Sequence, residues 1–295
     1  MDLTAVGRRT TAAVTGGLLP EEATVRRGTI DLHCLVWGRD TDPAAVLIHG
    51  NGAHAHWWDT LVPALVPGWR LIVPDLRGHG ESGWPAGPDY EMTDYAADLG
   101  AVLDALAPGH VALVGHSMGG RIAAFAAVAS AARVRGLALL DTRLGTVEPA
   151  LAARWRGRVA GQRTGRTYPS YDEAVAAFRF IPEEYGVPAP VLANLAHHAV
   201  AETAPGAWSF RFDRAVLSVY GDGAGDLLPT LARVACPTVV LAGAESWVMN
   251  ATERAAIARV LRTAAVHVFP GGHHFLVAHG AAAGAALRSF LDGLS

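Results

Sequence analysis

The segment Gly115–Gly120 reads G-H-S-M-G-G and carries the residue of this sequence best suited to covalent chemistry. It matches the pattern G-x-S-x-G, in which a serine stands on a sharp turn between a strand and a helix. The apolar run Val111–Val114 precedes the segment, and helical spacing follows it. A serine at the start of a helix lies near unpaired backbone N–H groups, which stabilise a developing oxyanion. The segment therefore predicts Ser117 as a nucleophile that attacks a carbonyl carbon.

Two further groups are needed, because a histidine must accept the serine proton and a carboxylate must hold that histidine in the useful tautomer. His273 and His274 stand together after the last predicted strand, in the segment G-G-H-H-F-L. Asp141 directly follows the apolar run Leu137–Leu140, and Glu245 follows a later run. Ligand chemistry in parallel sheets concentrates at the carboxyl ends of the strands. The sequence thus offers two candidate bases and two candidate acids.

A sheet of parallel strands is needed to bring these residues together. An antiparallel hairpin is predicted over 25–37, and helices are predicted over 95–106 and 119–131. The order of short apolar runs and helical stretches indicates an α/β fold with helices on both faces of the sheet. Buried strands are predicted at 45–48, 70–75, 111–114, 137–140, 238–243 and 265–269.

The pattern changes between residues 142 and 228, where aromatic residues scatter and proline recurs. We expect this segment to be a cap inserted into the α/β core, which would comprise residues 23–141 and 229–295. Residues 1–22 would form an N-terminal extension. The aromatic residues of the cap suit a substrate that is apolar or aromatic.

Taken together, these motifs resemble those of the α/β-hydrolase superfamily, specifically the group with a G-H-S-M-G-G nucleophile elbow, from about Val25 to Leu291. The segment His49–Gly52 is similar to the family's H-G loop, and Asp75–Ser82 to its D-x-R-G-x-G-x-S loop. The resemblance implies a mostly parallel eight-stranded sheet flanked by helices, with an inserted helical cap. It also implies an oxyanion hole made by the backbone N–H groups of Asn51 and Met118.

The resemblance bears on the acid and the base as well. Family members usually carry G-x-x-D after the seventh strand, but here Ser246 stands at the place of the aspartate. Several branches of the superfamily hold the histidine with a carboxylate after the sixth strand, which is where Asp141 lies. We therefore predict Asp141 as the acid, with Glu245 as the alternative. The family's glycine-histidine motif favours His273 as the base, with His274 as the alternative.

These residues predict a serine hydrolase that cleaves a carboxylic ester, lactone or thioester of a small molecule. Ser117, His273 and Asp141 would act through an acyl-enzyme that water then releases. Two other functions stay open, namely a lyase or cyclase on the same scaffold and a small-ligand receptor without enzymatic activity. An epoxide hydrolase or a dehalogenase is disfavoured, because those relatives place aspartate at the position of the serine.

Composition excludes several other functions. The net charge of -3 supplies no field that would gather nucleic acid or anionic lipid, so a small neutral partner fits better. No apolar run is long enough to span a membrane. Cys34 and Cys236 have no metal-ligand or redox spacing, and we expect neither a metal nor a cofactor. We expect a cytoplasmic protein that is a monomer or a homodimer.

Overall fold

The computed structural model describes residues 2–87, 90–145, 165–220, 225–261 and 265–294. Its eight-stranded sheet has the strand order β1-β2-β4-β3-β5-β6-β9-β10, and β7 and β8 form a separate two-stranded sheet. The strands are β1 (Glu21–Arg27), β2 (Ile30–Trp37), β3 (Ala44–Ile48), β4 (Arg70–Pro74), β5 (Val111–His116), β6 (Val134–Leu140), β7 (Val200–Ala204), β8 (Ala207–Phe210), β9 (Thr238–Gly243) and β10 (Ala265–Phe269).

The sheet is parallel from β4 to β10, and only β2 pairs antiparallel with its neighbours β1 and β4. The mostly parallel eight-stranded sheet predicted from the sequence is therefore confirmed. In the pairing of β5 with β6, His116 lies opposite Leu140. Ser117 and Asp141 come next along these two strands, so the register places them side by side at the carboxyl edge of the sheet.

Helices cover both faces of the sheet. They are α1 (Leu3–Thr15), α2 (Val62–Leu65), α3 (Met92–Leu106), α4 (Met118–Ala129), α5 (Tyr171–Ala176), α6 (Ala189–His198), α7 (Leu228–Leu231), α8 (Ala251–Val260), α9 (Phe275–Ala278) and α10 (Gly280–Asp292). Short 3-10 helices span Ala55–Leu61 and Arg214–Tyr220. Helix α3 begins earlier than predicted, because Glu91 and Asp94 form a capping box at its N-terminus.

The apolar runs of the central strands serve two cores, because successive side chains of a strand point to opposite faces of the sheet. Val46, Ile48 and Leu113 pack in the layer that contains α3 and α4. Leu47 and Val114 pack in the opposite layer, which contains α10. All five side chains are fully buried. Burial on both faces explains why these strands appear in the sequence as continuous apolar runs.

The segment predicted to be a cap contains a β-hairpin as well as helices. Helices α5 and α6 are followed by β7 and β8, which pair antiparallel. The remaining parts of this segment, 146–164 and 221–224, lie outside the described residues. The domain boundaries thus stay a prediction.

Much of the predicted N-terminal extension is helix α1, which packs against α6. The hydroxyl of Thr11 donates a hydrogen bond of 3.2 Å to the amide oxygen of Asn194 in α6. Among the helices that the structure describes, none has the length and apolar composition needed to cross a membrane.

Candidate active site

Ser117 occupies a strained turn between β5 and α4, with φ 54° and ψ -120°. Small neighbours are required there. A Cβ on Gly115 would lie 2.4 Å from the carbonyl oxygen of Gly119, and a Cβ on Gly119 would lie 2.1 Å from that of Ile48. The glycines of the G-x-S-x-G motif therefore let the backbone turn tightly and present the serine at the edge of the sheet.

His273 bridges the serine and the aspartate. Its Nε2 lies 3.0 Å from Oγ of Ser117, and its Nδ1 lies 2.8 Å from Oδ1 of Asp141. When the Nδ1–H donates to the carboxylate, Nε2 is left as the acceptor of the serine proton. His273 and Asp141 are both buried, which keeps the hydrogen-bonded chain away from bulk water. The geometry allows the serine proton to pass to the histidine.

The carboxylate of Asp141 is held by three donors, two at or just after the end of β9 and one from the loop of His273. Its Oδ2 accepts a hydrogen bond of 2.8 Å from the N–H of Gly243, at the end of β9. Its Oδ1 accepts from His273 and also from the hydroxyl of Ser246, at 2.5 Å. Ser246, which stands at the family's usual place for the acid, thus binds a carboxylate that arrives from the neighbouring strand. These hydrogen bonds fix the position of the carboxylate beside His273.

The alternative acid and base lie elsewhere. Glu245 is exposed, and its backbone N–H donates to the carbonyl of Gly271 at 2.9 Å. His274 is buried with its ring against Trp57, at a centroid distance of 4.9 Å. Burial, together with the positive charge that His273 can carry, lowers the pKa of His274 well below its ordinary value. The structure brings Ser117, His273 and Asp141 together and leaves these two residues out of the hydrogen-bonded chain.

The two predicted oxyanion donors lie beside the serine. Asn51 and Met118 both line the cavity above Ser117. Met118 is the first residue of α4, where backbone N–H groups have no acceptor within the helix. The loop that carries Asn51 comes close to the elbow, since a Cβ on Gly50 would lie 3.0 Å from Cβ of Ser117.

Asp75 holds the loops beneath the site. Its carboxylate accepts hydrogen bonds from the N–H groups of Ala55, at 2.7 Å, and Glu81, at 3.0 Å. Nδ1 of His33 lies 2.9 Å from Oδ2 of the same carboxylate. Burial alone would raise the pKa of Asp75, but the hydrogen bond and charge of His33 hold it below the ordinary value. The aspartate is therefore a permanent anion that joins the loop after β4 to the first 3-10 helix.

The cavity above Ser117 has a volume of about 540 Å³, which suits a small molecule. Both the sheet edge and the predicted cap segment contribute to its wall. Six Trp and Phe side chains line it: Trp57, Phe178, Phe180, Phe210, Phe212 and Trp247.

Glu184 connects the predicted cap segment to the loop of the candidate base. Its carboxylate accepts hydrogen bonds from the backbone N–H groups of Gly272, at 2.9 Å, and His274, at 2.7 Å. These two N–H groups flank His273. Sequence reasoning missed this residue, because an isolated glutamate in an irregular segment has no motif or periodicity that marks it.

Three imidazoles form a cluster at the site, with ring nitrogens of His116, His273 and His274 within 4.8 Å of one another. The Nε2 of His116 already donates to the carbonyl oxygen of His273, at 2.9 Å. Both nitrogens of His273 face Ser117 and Asp141. A cation could be held here only at the expense of the contact between serine and histidine.

The parallel sheet and the strained elbow at its edge define an α/β-hydrolase. Residues 43–281 match the model of the alpha/beta hydrolase fold family, and the chain belongs to this family. The resemblance and the fold predicted from the sequence are thereby confirmed.

Relatives of this chain include esterases and other hydrolases. Esterase Rv0045c of Mycobacterium tuberculosis is 31% identical over 238 residues, which cover 78% of this chain and 74% of that protein. A crystal structure of this esterase has a TM-score of 0.74 at 26% identity, covering 99% of this chain and 98% of that one. The 2-(acetamidomethylene)succinate hydrolase of Mesorhizobium japonicum is 26% identical over 239 residues, covering 81% of this chain and 84% of that protein.

A third similarity is one of fold alone. The thioesterase domain from the curacin biosynthetic pathway has a TM-score of 0.79 at 22% identity, covering 92% of this chain and 99% of that one.

Proposed function

We propose that this protein is a serine hydrolase that cleaves an ester-type bond of a small molecule through Ser117, His273 and Asp141. The observation that carries the proposal is the position of His273, within 3.0 Å of the serine Oγ and 2.8 Å of the aspartate Oδ1. The esterases and hydrolases among the relatives support the ester-cleaving assignment. A cytoplasmic location and a monomeric or homodimeric state stay predictions.

In the first half of the reaction, Oγ of Ser117 attacks the carbonyl carbon while its proton passes to Nε2 of His273. The backbone N–H groups of Asn51 and Met118 stabilise the oxyanion that forms on the carbonyl oxygen. Asp141 stabilises the imidazolium. The imidazolium then gives its proton to the departing alkoxide or thiolate, which leaves the acyl group on the serine.

In the second half, His273 takes a proton from a water molecule, and the resulting hydroxide attacks the acyl carbon. The second tetrahedral intermediate collapses, the proton returns to Oγ of Ser117, and a carboxylic acid is released. No other co-reactant is needed.

The test is covalent labelling with a fluorophosphonate, followed by peptide mapping of the adduct. We expect a single adduct on Ser117 in the wild type, and neither adduct nor 4-nitrophenyl butyrate turnover in Ser117→Ala. Turnover that persists in Ser117→Ala would overturn the proposal.

Turnover in water enriched in oxygen-18 tests the hydrolytic step itself. Hydrolysis places one heavy oxygen in the carboxylic acid product. Turnover of the protein's own substrate without incorporation would favour the lyase or cyclase function instead.

A further inference from the structure

The described residues of the cavity wall carry charge of one sign. Among the described residues that line it, five are arginines and none is an aspartate or glutamate: Arg121, Arg143, Arg179, Arg211 and Arg214. The net charge of the whole chain is -3, so the cavity differs in sign from the protein around it. A ligand responds to the local field of the cleft, which low-dielectric walls concentrate, more than to the net charge.

Two of these arginines have guanidinium groups with no acidic partner among the described residues. Arg143 donates from Nε to the carbonyl of Val248, at 3.2 Å, and from Nη2 to that of Trp247, at 3.5 Å. Arg179 donates from Nη1 to the carbonyls of Ala176, at 2.7 Å, and Phe178, at 2.6 Å. These carbonyls fix the direction of each side chain but leave its charge uncompensated, and N–H groups of each fork remain available.

Arg211 shows the contrasting arrangement. Its Nη1 lies 2.5 Å from Oε1 of Glu81, which compensates its charge. Arg143 and Arg179 are thus distinguished from a neighbour in the same wall by the lack of an acid.

Three of the four histidines that line the cavity stay neutral and so add no further cation to the wall. Burial lowers the pKa values of His54, His116 and His274. The remaining wall is mostly apolar. The planar fork of a guanidinium matches the two oxygens of a carboxylate, which makes arginine the side chain suited to this group.

We propose that the substrate of this hydrolase carries a carboxylate besides the scissile ester, and that Arg143 and Arg179 bind this carboxylate in the cavity. The inference rests on the proposed function and narrows it from small esters in general to anionic ones. An anionic substrate would take the place of the neutral one that we expected from the net charge of the chain. The two arginines are specificity residues that take no part in the proton transfers.

The test compares two esters of nearly equal length, 4-nitrophenyl hydrogen adipate, which ends in a carboxylate, and 4-nitrophenyl heptanoate, which ends in a methyl group. We expect the wild type to have the higher kcat/KM for the adipate ester. In Arg179→Gln and Arg143→Gln, the ratio of the two kcat/KM values should fall by about tenfold, mainly through KM, because binding of a remote group is lost. Lysine at either position should restore part of the ratio.

The control is Arg259→Gln, which removes one exposed arginine on α8 outside the cavity wall and therefore reports the effect of net charge alone. Its ratio should equal that of the wild type. A wild type that prefers the heptanoate ester, or a ratio unchanged in both cavity variants, would overturn the inference while esterase turnover persisted. Failure of the proposed function is distinct, because neither ester would then be cleaved by the wild type.

Discussion

The hydroxyl of Ser246 donates a hydrogen bond of 2.5 Å to Oδ1 of Asp141, the same oxygen that faces Nδ1 of His273. The loop after β9, where the family resemblance leads us to expect an acid, therefore reaches the candidate triad. It does so with a neutral donor, while the negative charge comes from the end of β6. His273 therefore lies beside the loop after β9 although the carboxylate that it contacts comes from the end of β6.

Moving the acid back to the loop after β9 tests this relationship. We expect Asp141→Asn to lower kcat by about 10³-fold to 10⁴-fold, because the histidine loses the carboxylate that holds its tautomer. Adding Ser246→Asp to that variant should raise kcat again by about tenfold or more, because His273 regains one hydrogen bond to a charged group. Steady-state kinetics with 4-nitrophenyl butyrate would report both changes.

The matched control for the acid is Glu245→Gln, which removes an exposed carboxylate one residue from Ser246. We expect less than a twofold change in kcat. Should Glu245→Gln lose activity while Asp141→Asn keeps it, the assignment of the acid would be wrong.

Glu184 is expected to position the candidate base. Because its carboxylate holds the N–H groups on both sides of His273, we expect Glu184→Ala to lower kcat by about tenfold, since a displaced base transfers protons less efficiently. KM should change little. Glu184→Gln keeps an acceptor oxygen, so its kcat should lie between those of the wild type and Glu184→Ala. A stability assay at the same temperature would show whether unfolding contributes to the lower kcat.

The neighbouring Glu183 provides the control for Glu184. The carboxylate of Glu183 accepts a hydrogen bond from Tyr185, and Glu183 and Tyr185 are both exposed. Glu183→Ala should keep the wild-type kcat. Equal effects of the two alanine variants would argue against a positioning role.

The glycines of the elbow give a prediction about stability. A Cβ on Gly119 would lie 2.1 Å from the carbonyl oxygen of Ile48, which is backbone of a central strand and cannot move aside. We expect Gly119→Ala to lower the free energy of unfolding by about 3 kcal/mol or more, as overpacking against a rigid neighbour does. Urea unfolding followed by tryptophan fluorescence would measure the change.

Gly100 offers the opposite case within helix α3, because a Cβ there meets no atom within 4 Å. Gly100→Ala should raise the free energy of unfolding by about 0.5–1 kcal/mol, since alanine favours the helix over glycine. A loss of stability in Gly100→Ala would show that helical packing around α3 differs from this structure.

We expect a histidine cluster between the core and α6 to make the stability of the folded protein depend on pH. The rings of His56 and His198 stack with centroids 3.4 Å apart, and the ring of His54 lies beside them. Burial, with the charge that His56 can carry, lowers the pKa of His54 to about 3 and that of His198 below its ordinary value. The unfolded chain therefore binds more protons than the folded protein below pH 6.5, about the ordinary histidine value.

Stability should accordingly be complete above pH 6.5 and fall as the pH drops from 6.5 toward 3, by up to about 1.4 kcal/mol per pH unit for each histidine. Urea unfolding at several pH values would give the slope. His54→Gln should reduce it, whereas His110→Gln, which removes an exposed imidazole, should keep it. An unchanged slope in His54→Gln would contradict the expectation.

Several features of the fold were predictable because they depend on neighbours in the chain. Continuous apolar runs marked the buried strands β3, β5 and β6, and turn residues marked the opening hairpin. The hairpin of β7 and β8 was not predicted. Both strands are short, β7 is mostly exposed and β8 mostly half-buried, so they lack the apolar run or strict alternation that marks a buried strand.

The sequence by itself determined the elbow at Ser117. A tight turn between a strand and a helix needs glycines at fixed positions beside the serine, and this requirement is local. It also narrowed the base and the acid to two candidates each. Only the tertiary structure decided that His273 rather than His274 faces the serine, and that Asp141 rather than Glu245 faces His273. Asp141 and His273 are 132 positions apart, so the register of β6, β9 and β10 sets their contact rather than any local spacing.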